Sequence, residues 1–96
     1  MGTKHGSMEG MKILLVDDEP DIVDMLAYIF EKAQLQVYKA NSGKEAIEKA
    51  AKYSPDIILL DVMLPDIDGI EVCEHLRGMD HLKSTLIIFL SARGED

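Results

Sequence analysis

Residues 57–61 read Ile57-Ile58-Leu59-Leu60-Asp61, a short apolar run that ends in a carboxylate. A continuous apolar run of this length is typical of a β-strand that is covered on both faces. A carboxylate at the end of such a strand costs free energy to desolvate unless it has a partner. The stretch therefore predicts a buried strand with a functional acid at its carboxyl end.

Three further segments predict strands. Residues 12–16 are apolar after the first position and are followed directly by the acids of 17–19. Residues 87–90 form another apolar run, and Ser91 follows it. Residues 36–39 mix apolar and polar side chains, which indicates an edge strand with one wet side. Polar groups thus follow three of the four predicted strands.

Helical patterns lie between these strands. Pro20 suits a first helical turn because it has no amide hydrogen, and the apolar spacing after it predicts a helix over 20–33. A Ser-Gly-Lys-Glu capping box at residues 42–45 predicts a helix over 43–53. A third helix is predicted from 69 to 78. The alternation of strand and helix with short connections predicts an α/β fold, an open, doubly wound parallel sheet.

The carboxyl ends of parallel strands form the edge of a sheet where ligands bind, so Asp17, Asp18, Asp61 and Ser91 are expected to converge there. Two carboxylates about 4 Å apart repel by roughly 4 kcal/mol at an effective dielectric near 20, so such a cluster requires protonation or a bridging cation. Magnesium prefers hard oxygen ligands and keeps water molecules that phosphate oxygens can replace. The pattern predicts a Mg²⁺ site suited to phosphate chemistry.

Composition limits the function classes. The chain has 96 residues, enough for one domain, and its net charge of −8 disfavours contact with nucleic acid or an anionic membrane. Its single cysteine, Cys73, cannot form an internal disulfide, which favours a cytoplasmic protein. Residues 1–10 lack strand or helix periodicity and are predicted to be an appended leader outside the folded domain.

Three ordered motifs carry a family resemblance: residues 15–20, Leu-Val-Asp-Asp-Glu-Pro; residues 56–69, Asp-Ile-Ile-Leu-Leu-Asp-Val-Met-Leu-Pro-Asp-Ile-Asp-Gly; and residues 89–92, Phe-Leu-Ser-Ala. The chain resembles the receiver domain of bacterial two-component response regulators from about Met11 to its last residue. The resemblance implies a flavodoxin-like fold with strand order 2-1-3-4. It also implies a phosphorylation-controlled switch in a phosphorelay.

Site roles follow from the resemblance. Asp61 would accept a phosphoryl group from a sensor histidine kinase or a phosphotransfer protein. Asp17 and Asp18 would hold Mg²⁺ together with Asp61 and the backbone carbonyl of Met63. Ser91 would be the switch hydroxyl that turns toward the phosphoryl group, which carries more charge and more acceptor oxygens than the free carboxylate.

Two side chains beside the site are implied to tune the lifetime of the acyl phosphate. They are Met63, two residues after the phosphoacceptor, and Arg93, two residues after the switch hydroxyl. Exchanging them is expected to change the dephosphorylation rate with little change in the fold.

The sequence also departs from the family pattern. A receiver continues through a fourth helix, a fifth strand that carries a lysine facing the phosphoryl group, and a fifth helix, and residues 11–96 are therefore expected to be a C-terminally incomplete receiver. The strand at 87–90 would then be an uncovered apolar edge, which predicts self-association through that edge.

Two other functions stay open. The first is a Mg²⁺-dependent phosphohydrolase that uses an aspartyl-phosphate, although such an enzyme would want an Asp-x-Asp pattern and Asp61 is followed two residues later by Met63. The second is a non-functional structural fragment or half of a chimera. Adjacent acids before a helix, such as 17–19, are also often no more than caps. The acids at Asp66 and Asp68 are interpreted as turn formers and a helix cap.

Overall fold

The computed structural model describes residues 9–90 of the chain. Four parallel strands form one sheet in the order β2-β1-β3-β4. The strands are β1 (Lys12–Val16), β2 (Gln36–Ala40), β3 (Ile57–Asp61) and β4 (Leu86–Leu90). This confirms the predicted fold class and the predicted strand order, with the first strand inside the sheet and the mixed second strand at one edge.

Three helices cover the two faces of the sheet: α1 (Pro20–Lys32), α2 (Gly43–Tyr53) and α3 (Gly69–Arg77). Each lies within one residue of its predicted bounds. A short 3₁₀ helix, Asp80–Leu82, was not predicted, because three residues are too few to produce a periodic pattern.

Alternation along the buried strands divides the core into two layers. On one face, Leu14 and Val16 of β1 and Ile58 and Leu60 of β3 pack against residues of α2 and α3. On the other face, the side chains at 13, 15, 57 and 59 pack against α1. Because successive side chains of a strand point to opposite faces, the continuous apolar runs fill both layers.

The two edges of the sheet differ in character. The edge strand β2 carries polar residues, which limits pairing with another chain. At β4 apolar side chains reach the solvent, with Leu86 54% and Ile88 42% exposed. No helix within residues 9–90 is long and apolar enough to cross a membrane.

The amino ends of the strands are joined by a set of satisfied polar contacts. The carboxylate of Asp56 accepts from the backbone N–H of Lys12 at 2.9 Å, and the Lys12 ammonium donates to the carbonyl of Tyr53 at 3.0 Å. The buried hydroxyl of Thr85 donates to the carbonyl of Pro55 at 2.8 Å. Each of these contacts joins segments that are far apart in the sequence, so this end of the sheet contributes to stability.

Candidate phosphoryl and metal site

Strand register brings the acids together. Val16 of β1 is paired with Leu60 of β3, so the residues that follow, Asp17 and Asp61, emerge side by side at the carboxyl edge of the sheet. Asp18 is the next residue after Asp17. One carboxylate oxygen from each of the three acids lies within 4.8 Å of the others. The predicted convergence of these acids is confirmed.

The acids differ in exposure. Asp17 and Asp61 are 3% and 5% exposed, whereas Asp18 is open to solvent. Within residues 9–90, no lysine or arginine forms an ion pair with any of them; the ion pairs there are Lys39 with Asp24 and Lys49 with Glu45. Two buried, like-charged groups therefore lack a positively charged partner from this part of the protein.

Each buried acid accepts one backbone hydrogen bond that fixes its orientation. Asp17 Oδ1 accepts from the N–H of Glu19 at 2.9 Å, and Asp61 Oδ1 accepts from the N–H of Met63 at 3.1 Å. Burial raises the pKa of Asp17, the hydrogen bond from Glu19 partly opposes this rise, and the charge of Asp61 adds to it. Both carboxylates are held in fixed orientations, and the surroundings of Asp17 disfavour its negative charge.

The residues present fit a hard divalent cation. Three carboxylate groups supply oxygen ligands, the donor type that Mg²⁺ prefers. Positive charge between them would offset both the burial and the repulsion that raise the pKa of Asp17. The exposed position of Asp18 leaves a side open to water and to phosphate oxygens.

The loop that follows Asp61 is closed tightly on itself. The N–H of Gly69 donates to the carbonyl of Val62 at 2.8 Å, which joins the two ends of the segment 62–69. A Cβ atom at residue 69 would lie 2.5 Å from the Asp61 carbonyl oxygen, a distance that real side chains do not adopt. Gly69 is therefore required where α3 begins directly against the end of β3.

Asp66 has a contact that the sequence did not reveal. Its two carboxylate oxygens accept from the backbone N–H groups of Gly43 and Lys44, at 2.7 and 3.0 Å. Asp68, in contrast, caps α3 locally through the N–H groups of Ile70 and Glu71, as its position before that helix predicted. Only the local cap leaves a signal in the sequence, because Asp66 acts on a helix more than twenty residues upstream.

A cleft of about 280 Å³ opens beside the acids, between the β1–α1 and β2–α2 connections. It is lined by Asp17, Asp18, Pro20, Val23, Asp24, Lys39, Ala40, Asn41, Glu45 and Lys49. Lys39 and Lys49 are held by Asp24 and Glu45, so the cleft walls carry mixed charge. Ser91 and Arg93, the predicted switch hydroxyl and tuning residue, lie outside the described residues.

The fold and the acid cluster define a receiver-type phosphorylation module. Residues 13–96 match the response regulator receiver domain family, and the chain belongs to that family. Over 85 residues it is 47% identical to the alkaline phosphatase synthesis transcriptional regulatory protein PhoP of Bacillus subtilis, a match that covers 88% of this chain and 35% of PhoP. The chain thus spans about a third of that relative's length.

Solved structures of receiver domains and response regulators have the same fold as this chain. The chemotaxis response regulator CheY4 of Vibrio cholerae superposes with a TM-score of 0.85 at 32% identity, over 90% of this chain and 72% of that one. The receiver domain of the sensor histidine kinase PA1611 from Pseudomonas aeruginosa superposes with a TM-score of 0.82 at 28% identity, over 88% of this chain and 69% of that one. The PA1611 structure is described with a magnesium ion coordinated in the active site cleft.

Proposed function

We propose that this chain is a phosphorylation-controlled signalling switch that accepts a phosphoryl group on Asp61. The observation that carries the proposal is the cluster of Asp17, Asp18 and Asp61, three carboxylates brought within 4.8 Å by adjacent parallel strands. A sensor histidine kinase or a phosphotransfer protein would be the donor, as the family membership of the chain favours.

The reaction is a transfer between two covalent carriers. A carboxylate oxygen of Asp61 forms the new O–P bond while the N–P bond of the donor phosphohistidine breaks. The departing imidazole nitrogen keeps the bonding electron pair and takes up a proton from water. The hydrogen bond from the Met63 N–H to Asp61 Oδ1 holds one oxygen in place and leaves the other free to attack.

Asp17 and Asp18 would hold magnesium together with Asp61 and the backbone carbonyl of Met63. Bound magnesium supplies positive charge that offsets the charge on the transferred phosphoryl oxygens. The Glu19 N–H fixes Asp17, and the exposure of Asp18 allows it to act directly or through water. The magnesium ion described for the PA1611 receiver supports this reading.

Ser91 would respond to the new charge and so change the surface around it, and Met63 and Arg93 would set how long the acyl phosphate survives. A phosphoryl group replaces one negative charge by roughly two and adds strong acceptor oxygens, so a nearby hydroxyl gains a partner. Substitution of Met63 and Arg93 together is expected to change the decay rate of the phosphorylated protein without changing its thermal unfolding. Equal decay rates in the double variant and the wild type would contradict this role.

A labelling experiment tests the proposal. The protein is incubated with acetyl phosphate and Mg²⁺, and mass spectrometry measures both the modified fraction and the modified residue. We expect at most one phosphoryl group per chain, located on Asp61 and dependent on Mg²⁺. Sustained release of phosphate over many turnovers would instead support a phosphohydrolase. Absence of labelling, and of amide chemical-shift changes with beryllofluoride and Mg²⁺, would support an inert fragment.

The relatives and the charge of the chain also suggest an output and a cellular compartment for the switch. The relative PhoP is named as a transcriptional regulatory protein, so a longer protein containing this chain would act on transcription, while the acidic segment itself would not contact nucleic acid or a membrane. The cytoplasm is the compartment we propose.

Self-association through β4 is part of the proposal, because Leu86, Ile88 and Phe89 are exposed on this edge strand. Light scattering is expected to detect concentration-dependent association that an Ile88→Lys substitution weakens. A wild-type chain that stays monomeric at high concentration would contradict it.

A further inference from the structure

Asp66 is a cap for a helix that it does not precede. Its Oδ1 accepts from the N–H of Gly43 at 2.7 Å and its Oδ2 accepts from the N–H of Lys44 at 3.0 Å. These are the first two amides of α2, which have no partner within the helix. One carboxylate from the β3–α3 loop therefore satisfies two donors on another element.

The cap that α2 supplies for itself covers a different amide. Ser42 Oγ accepts from the N–H of Glu45 at 3.1 Å, and the Glu45 carboxylate accepts from the N–H of Asn41 at 2.9 Å. Both of these contacts lie within the β2–α2 segment. Ser42 and Asp66 are thus two caps on one helix end, and only Asp66 joins the helix to the loop that follows the phosphoacceptor.

Packing around Gly43 adds a second contact between α2 and the loop. A Cβ atom at residue 43 would lie 2.9 Å from Ile67 Cβ and 2.9 Å from Val72 Cγ2, and 3.3 Å from Asp66 Oδ1. The first turn of α2 therefore touches the loop and α3 with no space for a side chain. Ile67 also packs against the core layer that contains Val72.

The same loop is fixed at both of its ends. Asp61 Oδ1 accepts from the N–H of Met63, and the Gly69 N–H donates to the Val62 carbonyl. Asp66 lies between these closures and is the side chain that hydrogen-bonds the middle of the loop to a neighbouring helix. Removing it would take away this hydrogen-bonded connection to α2, while the packing of Leu64 and Ile67 against the core layer and the closures at both ends of the loop stay in place.

We infer that Asp66 is a positioning residue for the metal site. By fixing the loop against α2, it sets the position of the Met63 carbonyl relative to the carboxylates of Asp17 and Asp61. The inference rests on the proposed function, which makes that carbonyl a Mg²⁺ ligand. Removing a group that orients a metal ligand weakens affinity by 10- to 100-fold at well-defined sites, and we expect about tenfold here.

The test compares two caps of the same helix. Asp66→Ala removes the connection to the loop, and Ser42→Ala removes the cap internal to the β2–α2 segment. Each is expected to lower the midpoint of thermal unfolding by a few degrees, about 4–8 °C for a cap in a domain of this size. Calorimetric titration with MgCl₂ then measures the Mg²⁺ dissociation constant of each folded variant.

We expect Asp66→Ala to raise the Mg²⁺ dissociation constant about tenfold, and Ser42→Ala to change it less than twofold. Asp66→Asn keeps one acceptor oxygen, so its dissociation constant should lie between those of the wild type and Asp66→Ala. It also provides a more stable variant if the alanine protein unfolds. Equal affinities in the wild type and both Asp66 variants would overturn the inference and leave the proposed function intact. A wild-type protein that binds no Mg²⁺ would instead refute the metal site on which both depend.

Discussion

The two ends of the sheet differ in the partners of their polar groups. At the amino end, Asp56, Lys12 and Thr85 each have a hydrogen-bonding partner that joins distant segments. At the carboxyl end, Asp17 and Asp61 are buried next to each other, and no basic side chain within residues 9–90 forms an ion pair with them. One end stabilises the fold, and the other carries unfavourable charge.

The two ends of the sheet differ in their expected roles as well as in the free energy of their polar contacts. A folded protein that keeps like charges close together must offset their repulsion elsewhere, and such violations of local consistency concentrate at functional sites. The satisfied contacts around Asp56 and Thr85 contribute to stability at the other end of the sheet. Substitutions at the two ends should therefore separate stability from phosphoryl and metal chemistry.

The largest effect is expected at Asp61. Asp61→Asn removes the carboxylate that we propose as the phosphoryl acceptor, so labelling by acetyl phosphate should fall to the background level. Asp56→Asn, the matched substitution five residues earlier and just before β3 begins, should be labelled like the wild type. Intact-mass measurement of both proteins checks this, and persistent labelling of the Asp61 variant would remove Asp61 from its assigned role.

The next effect is expected at Asp17. Asp17→Asn keeps an oxygen that can accept from the Glu19 N–H but removes a buried charge, so the Mg²⁺ dissociation constant should rise more than tenfold. Without Mg²⁺ the variant should be more stable by about 1–2 kcal/mol, a fraction of the roughly 4 kcal/mol repulsion between full charges about 4 Å apart. Urea unfolding with and without Mg²⁺ measures both changes. A variant less stable than the wild type in the absence of Mg²⁺ would contradict the repulsion.

The third effect is expected at Thr85, where stability alone should change and in the opposite direction. Thr85→Val removes the hydroxyl that donates to the Pro55 carbonyl, which leaves a buried acceptor without its partner and should cost about 1–2 kcal/mol of stability. The Mg²⁺ affinity should not change, because the site lies at the other end of the sheet. Exposed Ser84 provides the control, since Ser84→Ala should leave urea unfolding unchanged.

The smallest effect concerns acid pH and the partnered acids near the site. Hydrogen bonds from Gly43 and Lys44 lower the pKa of Asp66, and the hydrogen bond from Asn41, with help from Lys49, lowers that of Glu45. A lowered folded-state pKa gives stability that is present above the unfolded pKa and is lost as the pH falls through the folded pKa. For Asp66 this loss begins below its ordinary value of 3.8.

We therefore expect the stability of the wild type to decline below about pH 4, and to decline less steeply in Asp66→Asn. Asp68→Asn is the matched control, because Asp68 caps a neighbouring helix locally. Thermal unfolding at several pH values gives the slopes. Identical slopes for the wild type and Asp66→Asn would show that Asp66 does not contribute through its charge.

Most of the fold could be predicted from local patterns. The apolar runs predicted β1 and β3 because both are covered on two faces, and Pro20 and Ser42 predicted where α1 and α2 begin. The capping box was correct at Ser42, but the Glu45 carboxylate accepts from the N–H of Asn41 rather than from that of Ser42. Either amide is within reach of a glutamate, so the sequence cannot choose between them.

The site could be predicted in part. The convergence of Asp17, Asp18 and Asp61 followed from strand ends in a parallel sheet, which is a property of topology. The partners of Asp66 and Thr85 could not be predicted, because they depend on how loops and helices pack after the topology is set. Their side chains are common in turns and strands, and nothing in the surrounding sequence distinguishes their contacts.

The pairing of β1 with β3 links metal binding to the stability of the sheet. Along the chain, α1, β2 and α2 separate Asp17 from Asp61, so the two acids are neighbours only when β3 is paired with β1. Pairing segments that lie so far apart in the sequence is entropically costly, and a ligand that binds only the paired state stabilises that state. Magnesium at this edge would therefore stabilise the folded protein. Its resistance to proteolytic cleavage, measured with and without Mg²⁺, would report whether the two strands are paired.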